Sequence, residues 1–267
     1  TIIHQAEQLV EDRHGIRLNM EEVSVDDEAT YRLIASGKTG GLFQLESPGM
    51  RQFMRELQPD CLEDIIAGIS LYRPGPAKSI PDYIDRKQHP EKIRYAHPLL
   101  QDILAPTYGC IVYQEQVMQI VQRLAGYSLG QADLVRRAMS KKKADVMEQE
   151  RIRFLDGAER KGISRATAGK IYEEIVDFAK YAFNKSHAAA YAVLSYRTGW
   201  LKAHYPAEFM SALLTNQLEN LPKLSEYMQE CNEMGLRVLP PDINESREVF
   251  SPGQSGEILF GLAAVKN

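Results

Sequence analysis

The sequence predicts a mainly α-helical protein, a multi-helix domain with a few short β-strands or hairpins. Two observations carry that prediction. Apolar residues recur at helical spacing through most of the chain. Glycine, proline and capping side chains stand where those runs begin and end. Strand-like alternation is confined to short stretches.

Residues 1–36 predict two helices. The first places Ile2, Ile3, Ala6, Leu9 and Val10 together and ends near Gly15. The second is announced by Ser24-Val-Asp-Asp27, acidic residues suited to a helix N-terminus, and runs through Tyr31, Leu33 and Ile34. Gly37-Lys-Thr39 imitates the tail of a phosphate-binding loop. That motif needs a preceding strand and a glycine where Arg32 stands, so it is rejected. A short strand and a turn are expected in residues 40–49, then helices over Met50–Leu57 and Leu62–Leu71, the latter with the stripe Ile65, Ile66, Ile69. Arg73-Pro-Gly-Pro76 makes a rigid loop. A short helix is expected over Ile80–Lys87 and a short strand over Thr107–Tyr113.

Gln114 opens an amphipathic helix with Val117, Ile120, Val121 and Leu124 on one face, stopped by Gly126. The next helix, Leu129–Ser140, carries Arg136 and Arg137 and is followed by Lys141-Lys-Lys143. Arg137 and Lys141 are four apart and share a helical face. Two guanidiniums and an ammonium there suit a triphosphate or a DNA backbone, or else form a solvated basic face. A long charged helix from Ala144 to about Lys161 stops at Gly162. Further helices are expected from Ser164 to about Lys180, from about Ala188 to Ala203, from Pro206 through Leu218, and over Leu224–Met234. Segments 236–244, 249–250 and 258–260 suggest a small strand pair.

The polar joint inside Ala179-Lys-Tyr-Ala-Phe-Asn-Lys-Ser-His-Ala-Ala-Ala-Tyr191 holds the densest chemistry. Lys185 suits a phosphate, Tyr181 or His187 a base or sugar, and Asn184 and Ser186 hydrogen bonds. The plainer alternative makes Asn184 and Ser186 helix caps and Lys185 a solvated cation.

Composition is that of an ordinary globular chain: 267 residues, 44% hydrophobic and 25% charged. No apolar run reaches the ~18 residues of a membrane span, so a membrane is not an expected partner. Cys61, Cys110 and Cys231 lie far apart, which fits a reducing cytoplasm and argues against a disulfide framework or a zinc site. Net charge is −4, but residues 123–202 hold 16 basic and 9 acidic side chains, whereas residues 1–60 hold 6 and 11. Positive charge therefore gathers around the joint. A start at Thr1 inside a helical pattern reads as a piece of a longer polypeptide.

The chemistry of a self-sufficient catalyst is missing. Asp26, Asp27 and Glu28 read as dipole complements, Asp60, Glu63 and Asp64 as a first helical turn, and Asp82 and Asp85 as exposed. No carboxylate pair sits on a convincing buried strand, as a two-metal centre requires. No serine or cysteine has an obvious base beside it.

Several strings, taken together, carry a resemblance. They are Gly41-Leu-Phe-Gln-Leu-Glu-Ser47, Tyr72-Arg-Pro-Gly-Pro76 with Ile80-Pro-Asp-Tyr-Ile-Asp-Arg-Lys87, and Tyr108-Gly-Cys-Ile-Val-Tyr-Gln-Glu-Gln-Val-Met118. Further along come Leu134-Val-Arg-Arg-Ala-Met-Ser-Lys-Lys-Lys143, Phe183-Asn-Lys-Ser-His187 and Leu201-Lys-Ala-His-Tyr-Pro-Ala-Glu-Phe-Met210. In this order they resemble the fingers domain of the C-family replicative DNA polymerases, the bacterial polymerase III alpha subunits of the DnaE type.

The resemblance implies one fingers domain over residues 1–267. Residues 1–60 would be an acidic part near the palm, 61–205 a core facing nucleotide and template, and 206–267 C-terminal helices and a strand pair leading toward a helix-hairpin-helix region. It implies dNTP and primer-template DNA as partners, and in the full enzyme a sliding clamp and clamp loader. It implies Mg2+ held by a palm outside this sequence, with none bound by this stretch alone. Arg136, Arg137, Lys141 and Lys185 are then expected at the triphosphate, Tyr181, Asn184 and His187 at the nascent base pair, and Arg73 and Ser186 nearby. Alone, such a stretch is expected not to extend a primer. The alternatives are a non-catalytic module for DNA or a replisome protein, whose DNA binding would weaken with salt, and a metabolic nucleotide-binding enzyme.

Overall fold

The structure is a computed structural model and describes residues 1–140, 144–179 and 181–265. Among these, thirteen α-helices and one two-stranded sheet form. In chain order they are α1 (Ile2–His14), α2 (Glu28–Ala35), α3 (Pro48–Leu57), α4 (Leu62–Leu71), α5 (Ile80–Gln88), α6 (Gln101–Leu104) and α7 (Gln114–Ala125). Then follow α8 (Leu129–Ser140), α9 (Ala144–Arg160), α10 (Arg165–Ala179), α11 (Lys185–His204), α12 (Pro206–Thr215) and α13 (Leu221–Glu233). The strands are β1 (Ser251–Pro252) and β2 (Ile258–Leu259), antiparallel with Ser251 opposite Leu259. The chain is mainly α.

Capping explains the boundaries. The Asp27 carboxylate accepts from the Thr30 backbone N–H at 2.8 Å and starts α2. Ser47 does the same for α3, with Pro48 in the first turn. Gly15 and Gly126 end α1 and α7 in the left-handed region, which glycine enters without Cβ crowding.

Two expected strands are absent. In residues 40–49, Gly41 and Gln44 have φ of 77° and 64°, which breaks extension twice within four residues. In residues 107–113, Tyr108 and Gly109 have φ of 52° and 78°, so the chain turns there. Only Tyr113 keeps a strand-like pairing, a parallel bridge to Phe183.

The chain divides into two compact units, residues 1–64 with 191–267, and residues 65–190. In the first, α1 packs on α12, and α12 also packs on α13 and β1. Val10, Phe209, Leu213, Leu214 and Phe250 are all buried there. Burying side chains of this kind stabilises by about 1.5–3 kcal/mol each. Glu208 is buried but not unpaired, because Arg13 and His14 reach it at 2.7 and 2.8 Å.

A second buried charge grips the loop 37–47. The Lys202 ammonium, with no exposed side-chain surface, donates to the carbonyls of Lys38 and Gly40 at 2.9 and 2.8 Å and to Glu230 at 2.5 Å. Arg51 binds the other Glu230 oxygen at 3.0 Å. Burial pushes Lys202 down more than Glu230 lifts it. For Glu230 burial acts upward, but Lys202 and Arg51 together hold its carboxyl below the ordinary value.

In the second unit α7 packs on α8 and α9, and α9 packs on α10. Ile120, Val121, Leu124, Phe154, Ile171 and Ile175 are fully or almost fully buried in its core. A Cβ at Gly157 would collide with the Ala125 carbonyl, so glycine allows α9 to lie close against α7.

Candidate functional site

The joint lies in the second unit and is shorter than its sequence suggests. Helix α11 begins at Lys185, not near Ala188. Two acceptors explain the early start. The Asn184 side-chain oxygen accepts from the His187 N–H at 2.8 Å, the geometry of an N-cap. The Glu115 carboxylate accepts from the Lys185 N–H at 3.0 Å and from the Asn184 amide at 3.0 Å. An anion at a helix N-terminus satisfies otherwise unpaired N–H groups and complements the dipole. Asn184 therefore caps, as the plainer alternative has it, while Lys185, Ser186 and His187 occupy the first turn.

The backbone before that turn is gripped on several sides. Gln114 N–H donates to the Phe183 carbonyl at 2.9 Å, and Phe183 N–H donates to Val112 at 3.2 Å. The Gln114 side chain donates to the Ala182 carbonyl at 3.1 Å. Arg73 donates to the Tyr181 carbonyl at 2.9 Å, and its guanidinium lies over the Phe183 ring, 4.0 Å from the centroid. Burial pushes Arg73 below its ordinary pKa. Phe183 also meets His187 edge to face at 5.4 Å. The Lys185 ammonium lies 5.3 Å from the centre of the Tyr113 ring.

The outward side chains differ from these. Tyr181 is 44% exposed, and Ser186 and His187 are exposed. One side of the Tyr181 ring rests on Gly75, whose φ of 104° belongs to glycine and whose missing Cβ leaves room for it. Tyr181 also lines a cavity of about 600 Å³.

Helix α8 reaches the joint through Arg136. Arg136 donates to Gln114 Oε1 at 3.1 Å and to Asp133 at 2.7 Å. The path Arg136–Gln114–Ala182 thus connects α8 to the joint. Arg137, 64% exposed at its side chain, pairs with the other Asp133 oxygen at 2.7 Å. An exposed pair of this kind is worth about 0–1 kcal/mol, so Arg137 is easily redirected to another anion. Lys141 lies outside the described residues.

The structure thus assembles Arg73, Arg136, Tyr181, Asn184, Lys185 and His187 around one turn, with Arg137 one residue beyond the Arg136 path. Glu115, Gln114 and Phe183 hold that turn and were given no role from sequence. No local pattern marks Glu115, because its partners lie 69 and 70 residues away. In the rejected phosphate loop Gly37 and Thr39 are buried and Lys38 is exposed. Thr39 has no exposed surface, and its hydroxyl donates to Leu45 at 2.6 Å.

Among the described residues, ligand atoms close enough to share an ion occur in one group, Asp60, Cys61 and Asp64. Magnesium favours oxygen ligands in octahedral geometry, and a thiol is a poor member of that set. Asp64 moreover accepts from the Asp60 N–H at 3.2 Å within the turn that opens α4. The group does not suit magnesium, and no reaction step is assigned through it.

Fold and site together define a helical module that holds aromatic and cationic side chains on a braced turn. Residues 1–162 match the family described as the bacterial DNA polymerase III alpha subunit finger domain. The chain belongs to that family. It is 49% identical over 257 residues to the DNA polymerase III subunit alpha of Haemophilus influenzae, covering 94% of this chain and 22% of the relative. It is 47% identical over 272 residues to the Thermus aquaticus subunit, covering 100% and 22%. It is 46% identical over 277 residues to the Escherichia coli K12 subunit, covering 100% and 24%. The chain thus spans less than a quarter of the length of these relatives. None of its helices among the described residues is long and apolar enough to cross a membrane.

Proposed function

We propose that this chain receives the incoming dNTP and the nascent base pair during template-directed synthesis by a DNA-directed DNA polymerase. The carboxylates and Mg2+ of that reaction are supplied from outside the chain. The observation that carries this reading is the joint at residues 181–187, braced from behind and reached by Arg136 of α8 through Gln114. Phosphoryl transfer spreads negative charge over phosphate oxygens, so positioned cations stabilise it. Arg137 and Lys185 are the cations this chain offers, and Tyr181 and His187 are its ring faces. Arg136 couples them. A shift of the joint that moves Gln114 also moves its contact with Arg136, which ties the placement of charge to the fit of the base pair.

The test uses the full-length parent polymerase carrying Arg136→Ala together with Arg137→Ala. Single-turnover incorporation is measured against dNTP concentration. The expected result is a fall of about 10-fold or more in apparent dNTP affinity or in rate, equivalent to about 1.4 kcal/mol. If both hold while DNA affinity drops, the arginines grip the DNA backbone and the proposed triphosphate contact is wrong.

A further inference from the structure

Tyr181 forms one wall of the cavity of about 600 Å³, and the described lining residues include none from α8. Its volume falls in the roughly 300–1,000 Å³ range of small-molecule sites. Lys78, Arg86 and Arg94 contribute positive charge, and Asp82, Glu174 and Asp177 contribute carboxylates. Arg86 is fixed in the wall, donating to the Gly109 carbonyl at 3.1 Å and lying 3.7 Å from Cys110 Sγ. Burial pushes the Cys110 thiol and the Glu174 carboxyl up, Arg86 opposing in both cases. Tyr95 and Phe178 add aromatic surface to that of Tyr181.

The charge balance selects the ligand. Among the described lining residues three cations stand beside three carboxylates, a mixed lining that suits a single phosphate better than the several negative charges of a triphosphate. A single phosphate can be met by arginine, while the carboxylates accept from exocyclic amino and ring N–H groups of a base. Exposed aromatic faces stack on any base. We infer that this cavity takes one unstacked nucleotide, a nucleobase with a single phosphate, drawn from single-stranded DNA or from solution. The inference rests on the nucleic-acid reading above and adds a second place on the chain, apart from α8.

The experiment is a fluorescence titration of the purified chain with three probes containing 2-aminopurine. They are a short single-stranded oligonucleotide, the same sequence as a blunt duplex, and the free deoxynucleoside monophosphate. Two variants block the site: Ala96→Trp, at an exposed lining residue, and Arg94→Glu, a charge reversal at a second exposed lining residue. A thermal melt of each variant confirms folding. Each variant is expected to weaken the single strand at least about tenfold, with Ala96→Trp leaving the duplex within about twofold. If the free monophosphate alone weakens, the cavity serves soluble nucleotide. The inference is overturned if the native chain binds no probe, if neither variant changes any probe, or if Ala96→Trp weakens duplex as much as single strand. The incorporation test above reads α8 and this titration reads the cavity, so either can fail without the other.

Discussion

In residues 37–47 the Thr39 hydroxyl and the carbonyls on either side of it are held from within, whereas in residues 181–187 the backbone is gripped and Tyr181, Ser186 and His187 stand exposed. Both stretches are dense in distinctive residues, and both have pinned carbonyls. The first is pinned by Lys202, which has no exposed side-chain surface, and its Thr39 hydroxyl is used internally. The second is pinned by Arg73, Gln114 and Glu115, leaving Tyr181, Ser186 and His187 at the surface. Burial therefore separates two uses of the same chemistry. A buried ammonium beside two carbonyls and a carboxylate is scaffold, because exposing it would abandon every partner at once. An exposed guanidinium beside one carboxylate can change partners at little cost.

The sharpest way to break this contrast is Lys202→Met. Removing the buried ammonium leaves Glu230 with Arg51 as its remaining cation and takes the donor from the carbonyls of Lys38 and Gly40, and the expected loss is about 3–5 kcal/mol in urea denaturation. A loss under 1 kcal/mol, the scale of an exposed pair, would show that the loop is not held from beneath.

Acid sharpens the same point. Glu230 is held below its ordinary value of 4.5, so the stabilisation it gives is present above pH 4.5 and drains away as pH falls through the lower folded value. The native chain is expected to lose stability over that window. Glu230→Gln, weaker at neutral pH, is expected to lose less. Parallel pH curves for the two proteins would contradict the assignment.

A smaller effect is expected at the joint. Asn184→Ala removes the cap of α11 and is expected to cost about 1 kcal/mol, read as a lowered Tm. The smallest belongs to Ser186→Ala, an exposed position expected to stay within about 0.5 kcal/mol of the native stability. A larger loss would place Ser186 in the scaffold beside Asn184.

Helices were largely legible in the sequence, because their signals are local. Leu62–Leu71, Leu129–Ser140 and the start of α12 at Pro206 fall where periodicity and proline place them. The start of α11 was not legible, since Glu115 supplies it from a distant segment. The two expected strands failed because alternation does not reveal positive φ at Gln44 or Tyr108. For the site, the cap at Asn184 was legible as one of two alternatives. The hold of Arg73 on the Tyr181 carbonyl was not, because it joins residues far apart in sequence, and the cavity that Tyr181 shares is assembled from segments spread over residues 75–181.

Gly75 and Tyr181 also constrain one another's sequence, unequally. The ring at 181 occupies the space a side chain at 75 would need. A lineage that acquired any Cβ at 75 would displace the ring, and shrinking residue 181 in compensation would relieve the crowding but not the φ of 104°. Glycine at 75 therefore has to persist for a reason independent of the ring, and the ring can persist only while that glycine does. The constraint is one-way: crowding and φ both hold glycine at 75, whereas contact with Gly75 does not by itself require a ring at 181.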